Sequence, residues 1–224
     1  SIKTWTGKAF KIGALVVLIV TLISVITNGM DAMNSASGLG QVSAIVCLLI
    51  LVYATFPIAQ VIRSAGDSLS SSGSSTVDFI FRDFVTENIK ALGHITALVA
   101  LFGALCSTVG WILNSSGMSM DVDLYSGAAY AYALPLDATA TLLEMIRLDY
   151  VGGIISDFFS WDLTGSDATG YTIDGLVAVG WEYAQVILIL AKLYLALAIY
   201  NWVYGLVSTL AKWISSPSLP FKTS

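Results

Sequence analysis

Four long apolar runs constrain this chain more than any other feature of its sequence. They cover residues 10–28, 41–62, 91–113 and 183–204, and each is close to the roughly 20 residues that a helix needs to cross the hydrocarbon core of a bilayer. Only 11% of the residues are charged, against about a quarter in an ordinary soluble domain. None of the runs alternates in the manner of a barrel strand. The sequence therefore predicts an all-α integral membrane protein with four transmembrane helices, forming a single membrane domain over residues 1–224.

The distribution of charge predicts the orientation of the four spans. Eight of the ten Lys and Arg residues fall on the side of the N-terminus, which also holds the loop 63–90 and the tail 205–224. Eleven of the fifteen acidic residues fall on the opposite side, mostly in the long loop 114–182. Because cytoplasmic loops carry an excess of Lys and Arg, we expect both termini in the cytoplasm. The first span would then resemble a retained signal anchor, and a bacterial inner membrane is the default location.

The predicted cytoplasmic loop 63–90 divides into two parts. Residues 64–75 are rich in Ser and Gly, which favours a flexible stretch. Ser75 and Asp78 then resemble a capping box at the start of a helix. We expect this helix to be amphipathic, to lie in the cytoplasmic interface and to lead into the third span, with a solvent-exposed helix packed on a partner protein as the alternative. Its apolar face is formed by Ile80, Phe81, Phe84 and Val85.

The long acidic outer loop, residues 114–182, exceeds the length of a simple connector. A short amphipathic helix is predicted over residues 138–148. Residues 151–161 are apolar and aromatic but too few to span a membrane, so this segment is compatible with an interfacial helix, a re-entrant segment or a surface that another protein covers. Three of its aromatic residues are predicted to bind a partner or lipid: Phe158, Phe159 and Trp161.

Lys192 is the sharpest candidate for a functional residue. It lies about midway along the fourth span, where a cation costs roughly 3 kcal/mol on insertion scales, and the sequence offers no acidic residue at the same depth. Four alternatives are open: the side chain snorkels to an interface, meets backbone carbonyls, binds a lipid phosphate, or pairs with an acid of another subunit. We expect contact with a partner or with lipid, and the missing internal partner is the main reason to expect a complex.

The second and third spans carry residues that shape helix packing. Pro57 lies within the second span and cannot donate to the carbonyl of Tyr53, which predicts a static bend, with a gating hinge as the less favoured alternative. The third span carries small residues at four-residue spacing on more than one side, which allows close approach of neighbours and predicts a central helix. These small residues are Gly93, Ala97, Ala100, Gly103, Ala104 and Ser107.

The sequence offers only weak candidates for a metal, cofactor or catalytic site. Asp162, Asp167 and Asp174 can offer oxygen ligands, but their spacing departs from that of a calcium loop, and the chain has a single histidine, so no metal site and no cofactor is predicted. Cys47 and Cys106 both lie in spans and are interpreted as buried small hydrophobes, which touch if their helices pack together. The sequence contains no nucleotide-binding glycine pattern, no catalytic triad and no basic patch for nucleic acid.

Two functional hypotheses follow from these patterns. The favoured one is a non-catalytic, structural or accessory subunit of a multi-subunit membrane complex, which packs in the bilayer against other integral membrane subunits or copies of itself. The alternative is a small channel or transporter that uses Lys192, although the sequence shows no inverted repeat and few polar groups to line a pathway. An enzyme is not expected, because no cluster of His, Asp and Glu lies in or near a span.

Overall fold

The computed structural model describes residues 2–115, 131–163 and 170–215. Four of its helices are long and apolar enough to cross a membrane, which confirms the predicted all-α, multi-pass membrane protein. Within residues 131–163, two shorter helices lie between the third and fourth long ones, preceded by a 3₁₀ turn over Ala131–Ala133. The helices are α1 (Ile2–Ser35), α2 (Leu39–Ser71), α3 (Thr76–Ile112), α4 (Leu134–Met145), α5 (Asp149–Ser160) and α6 (Ile173–Ser215).

The long helices continue beyond the apolar runs that predict them. α1 has 34 residues and α6 has 43, so at about 1.5 Å per residue they exceed the roughly 30 Å of hydrocarbon core. The stretch predicted to be flexible over residues 64–75 is instead helical as far as Ser71. Lys3 stabilises this end, because its ammonium donates to the carbonyls of Ser72 at 3.0 Å and Ser74 at 2.5 Å, where a cation also complements the helix dipole.

Consecutive long helices run antiparallel and pack in a row: α1 on α2, α2 on α3, and α3 on α6. α1 and α2 approach closely at Gly7, where an added Cβ would stand 2.8 Å from the carbonyl oxygen of Gly66. α3 occupies the interior of the row, since every residue from Ala91 to Trp111 is buried or half-buried. α3 therefore contacts neighbours on two sides, α2 on one and α6 on the other.

The apolar core has two parts, one on either side of α3. The first joins α1, α2 and α3, and it includes both cysteines. The thiol of Cys47 donates to the carbonyl of Cys106 at 3.6 Å, so the two residues touch as free cysteines. The second part joins α3 and α6 to the 3₁₀ turn and to α4, and it is this part that positions Lys192.

α3 begins with the predicted cap, in which the Ser75 hydroxyl accepts from the backbone N–H of Asp78 at 3.2 Å. A π-helical turn follows over Phe79–Phe84. Because such a turn has wider spacing than an α-helix, the face that it buries differs from the predicted one: Phe79 is 2% exposed, whereas Phe81 is 58% exposed. The predicted amphipathic helix and the third span are one continuous helix, α3, which runs from Thr76 to Ile112.

Pro57 lies inside α2 without ending the helix, which continues to Ser71. Because Pro57 has no backbone N–H, the carbonyl of Tyr53 lacks its usual helical donor. The hydroxyl of Thr55 does not replace that donor, since it donates to the carbonyl of Val52 at 2.7 Å. Pro57 also forms part of the wall of a groove between α1 and α2, which is described below.

Candidate functional site

Lys192 is buried in the described structure. It lies on α6 and is 5% exposed. Its ammonium donates to the carbonyl oxygen of Phe159 at 2.9 Å and to that of Trp161. Both carbonyls belong to the C-terminal end of α5. Of the four alternatives that the sequence leaves open, the structure therefore gives Lys192 backbone carbonyls as partners.

The end of α5 suits a cation for two physical reasons. The last carbonyls of a helix have no donor within the helix, and the helix dipole places partial negative charge there. The backbone N–H of Trp161 donates to the carbonyl of Asp157 at 2.8 Å, and the chain then leaves the helix with an extended conformation at Trp161. A buried charge is costly unless it is hydrogen-bonded, and these acceptors meet that need without a carboxylate.

A second polar contact holds the segment that follows α5. Gln185 of α6 donates through Nε2 to the carboxylate of Asp162 and accepts from the backbone N–H of Leu163 at 2.8 Å. Asp162 also interacts electrostatically with Lys192. The sequence offered no acidic partner for Lys192, whereas the fold brings Asp162 into electrostatic range because the chain returns alongside α6 after α5.

α4 and α5 form an antiparallel hairpin. They cross closely at Gly152, where an added Cβ would stand 2.9 Å from the carbonyl oxygen of Ala140. The base of the hairpin, formed by the start of α4 and the end of α5, docks on α3 and α6. There Phe158 and Phe159 are half-buried against the second core. Trp161, the third aromatic residue predicted to bind a partner or lipid, is 55% exposed, and its carbonyl accepts from Lys192 of α6.

The base of the hairpin packs beside the apolar spans and not only beyond their ends. Leu136 is fully buried, in a cluster with Ala97 of α3 and Leu193 of α6. Tyr132 and Ala133 belong to the same cluster. These contacts join the start of α4 and the 3₁₀ turn to the core between α3 and α6.

The small residues of α3 differ in what they contact. An added Cβ on Gly93 would stand 2.7 Å from Cδ2 and 2.8 Å from Cγ of Leu193, the neighbour of Lys192. At Gly103, by contrast, no atom of the described residues lies within 4 Å of an added Cβ. The remaining four are buried or half-buried: Ala97, Ala100, Ala104 and Ser107.

The contrast between these two glycines makes a testable prediction. Gly93→Ala is expected to destabilise the protein by about 1–3 kcal/mol, because the side chain of Leu193 is fully buried and must shift within a packed core. Gly103→Ala is expected to be neutral or to stabilise by up to about 1 kcal/mol, since Ala favours a helix over Gly. Thermal unfolding of both variants in the same detergent measures the difference. Equal midpoints would show that the contact between Gly93 and Leu193 does not set the spacing of α3 and α6.

The three aspartates weakly predicted as metal ligands do not form a site in the described structure. Asp162 is hydrogen-bonded to Gln185, and Asp174 lies in the first turn of α6. Asp167 lies outside the described residues. Within the ranges that the structure describes, no group of three or more His, Cys, Asp or Glu residues is placed to hold a metal ion.

Two features of the site were missed by sequence reasoning although the sequence carries a signal for each. Gln185 precedes Lys192 by seven residues, which places both on one face of a helix. α1 packs closely on α2 along a buried side that includes Gly7, Ala14 and Thr21, and small residues on one face of a membrane helix allow such close approach.

Comparisons of this chain with protein-family models, with curated proteins and with solved structures give no match. No fold or activity is therefore carried over from a relative. The features of this chain that bear on function are the hairpin held by Lys192 and the four long apolar helices.

Proposed function

We propose that this multi-pass membrane protein is a non-catalytic, structural or accessory subunit of a larger membrane complex. Both termini then lie in the cytoplasm and the α4–α5 hairpin on the other side of the membrane, with a bacterial inner membrane as the default. The orientation is supported by the positive charge on the side of the termini. The observation that carries the proposal is the mixed chemical character of the hairpin turn.

The hairpin turn exposes large apolar side chains among charged ones. Met145 is 75% and Tyr150 is 82% exposed, and the charged residues Glu144, Arg147 and Asp149 are exposed beside them. Charged groups are costly in lipid, whereas clustered apolar groups are unfavourable in water. A protein interface with an apolar centre and a polar rim accommodates both. The further exposed apolar residues are Leu142, Ile146, Leu148, Val151 and Ile154.

The turn has a defined backbone conformation. The N–H of Leu148 donates to the carbonyl of Leu143 at 2.8 Å, and the N–H of Arg147 to that of Glu144 at 3.0 Å. These bonds close the helix in a Schellman motif, with Arg147 in the left-handed region at φ 66°. With its base held by Lys192, the hairpin is a preorganised element, which reduces the entropy lost on binding a partner.

The alternative of a channel or transporter built on Lys192 finds less support. A residue that lines a pathway meets water or substrate, whereas Lys192 is 5% exposed and donates to carbonyls of the same chain. Ion flux in proteoliposomes that contain only this protein, abolished by Lys192→Met, would favour transport over the subunit proposal.

Native mass measurement after extraction from the natural membrane tests the proposal. In a mild detergent, we expect the chain in a stoichiometric assembly whose protein mass exceeds the 23.8 kDa of one chain. The double substitution Met145→Asp and Tyr150→Asp is expected to dissociate this assembly, because the few hot-spot residues near the centre of an interface each cost about 2 kcal/mol or more when they are lost.

The matched control is Trp5→Asp, which alters an equally prominent exposed aromatic residue, 72% exposed, at the start of α1. We expect this variant to keep the assembly. Recovery of the unaltered chain as a single 23.8 kDa protein would contradict the subunit proposal, and an assembly that survives the hairpin double substitution would contradict the role of the hairpin.

A further inference from the structure

A groove of about 730 Å³ runs between α1 and α2. Two cationic residues, Lys11 and Arg63, line one end of it. Of the eight other lining residues only Gln60 is an amide, and the remaining seven form a largely apolar wall: Ala14, Leu15, Leu18, Tyr53, Phe56, Pro57 and Ala59. This groove is separate from the contacts of Lys192 and from the hairpin.

The groove runs from the membrane border into the hydrocarbon layer. Lys11 and Arg63 lie at the same end of their antiparallel helices, at the borders of the apolar runs. Leu18 lies seven residues further along α1, about 10 Å away, and Tyr53 lies ten residues back along α2, about 15 Å away. Charge at the border and apolar walls below it match the arrangement of a membrane lipid.

The charge at the border favours an anion. Lys11 pairs with Asp67 at 2.7 Å, with both side chains about half exposed. Arg63 makes no hydrogen bond or ion pair with any residue that the structure describes, although Asp67 is close enough to interact with it electrostatically. The three side chains together leave one net positive charge. A guanidinium also offers a planar set of donors that fits phosphate oxygens.

We propose that this groove binds one anionic glycerophospholipid. Its phosphate lies at Arg63, with Lys11 beside it, and one acyl chain follows the wall formed by Leu15, Leu18 and Phe56. A lipid is favoured over a soluble phosphate because the walls lie where the chain is embedded in hydrocarbon, and an apolar tail adds burial that a free headgroup lacks. The inference does not depend on the proposed complex.

Titration of the purified full-length protein, followed by native mass spectrometry, tests this site. The probes are dioleoylphosphatidylglycerol and dioleoylphosphatidylcholine in a nonionic detergent. We expect tighter binding of phosphatidylglycerol, and we expect Arg63→Gln to weaken it about fivefold, since a cation near the headgroups contributes about 1 kcal/mol. Lys8→Gln, which removes a cation from the same end of α1 outside the groove, is expected to change it less than twofold.

A second variant separates loss of the site from loss of the fold. Asp67→Asn removes the carboxylate that competes for Lys11 and Arg63, so we expect phosphatidylglycerol to bind a few times more tightly, a result that misfolding cannot produce. Unchanged or weaker binding in Asp67→Asn, equal binding of the two lipids, or equal effects of Arg63→Gln and Lys8→Gln would each overturn the proposal. Displacement of the lipid by millimolar glycerol 3-phosphate would assign the site to a soluble phosphate instead.

Discussion

Replacing Lys192 with methionine is expected to release the end of α5 from α6 and to raise amide hydrogen exchange over residues 158–163 about a hundredfold. The substitution removes two hydrogen bonds from a charged donor, each worth roughly 1.5–3 kcal/mol. A loss of about 3 kcal/mol corresponds to about two powers of ten in the docking equilibrium. The cation lies in the span whether or not α5 is docked, so the cost of burying it offsets little of this loss. Hydrogen exchange read out by mass spectrometry measures the effect.

Lys192→Arg is the matched control, because it retains a cationic donor at the same position. We expect exchange in this variant to rise less than tenfold. If Lys192→Met leaves the exchange unchanged, Lys192 serves a lipid or another subunit rather than α5.

Because Lys192 contacts carbonyls of its own chain, it is no longer evidence for a second subunit. A buried cation without a partner in its own chain would be a strong reason to expect a second subunit. Because Phe159 and Trp161 supply acceptors from within the chain, that reason no longer applies to Lys192. The mixed apolar and charged surface at Met145 and Tyr150 carries the argument for a partner instead, and Lys192 contributes by fixing the hairpin that presents it.

The spans were predictable from sequence because crossing a bilayer depends on length and apolar content, which are local properties. The ends of the helices were not, because they depend on distant residues. α2 extends to Ser71 where the sequence favoured a flexible stretch, and Lys3 is the residue that holds this end through the carbonyls of Ser72 and Ser74. No local pattern in residues 64–75 indicates that Lys3, about 70 positions earlier in the chain, donates to this segment.

The partners of Lys192 could not be predicted for a different reason. The sequence identifies Lys192 as unusual because a cation in an apolar span is rare. Its acceptors, however, are main-chain carbonyls, and every residue carries one. Likewise, Gly93 and Gly103 look equivalent in sequence, and only the fold shows that Leu193 fills the space beside the first and that no described residue fills the space beside the second.

A methyl group added at Gly7 is expected to be among the most damaging small changes to this protein. A Cβ at this position would stand 2.6 Å from the Cβ of Ser70 and 2.8 Å from the carbonyl oxygen of Gly66. Neither atom is the end of a flexible side chain, so α1 and α2 must separate. We expect Gly7→Ala to destabilise the protein by about 1–3 kcal/mol and to lower its unfolding temperature by about 2–12 °C for a chain of this size. Thermal unfolding monitored by tryptophan fluorescence measures the shift.

Gly13→Ala is the matched control, because Gly13 lies six residues further along α1 and nothing lies within 4 Å of an added Cβ there. We expect it to leave the unfolding temperature unchanged or to raise it, since Ala favours a helix by up to about 1 kcal/mol over Gly. Gly7→Ala should also separate Lys11 from Asp67, because the close approach of α1 and α2 brings this ion pair to 2.7 Å. Equal unfolding temperatures for the two variants would show that the contact between Gly7 and Gly66 does not hold α1 against α2.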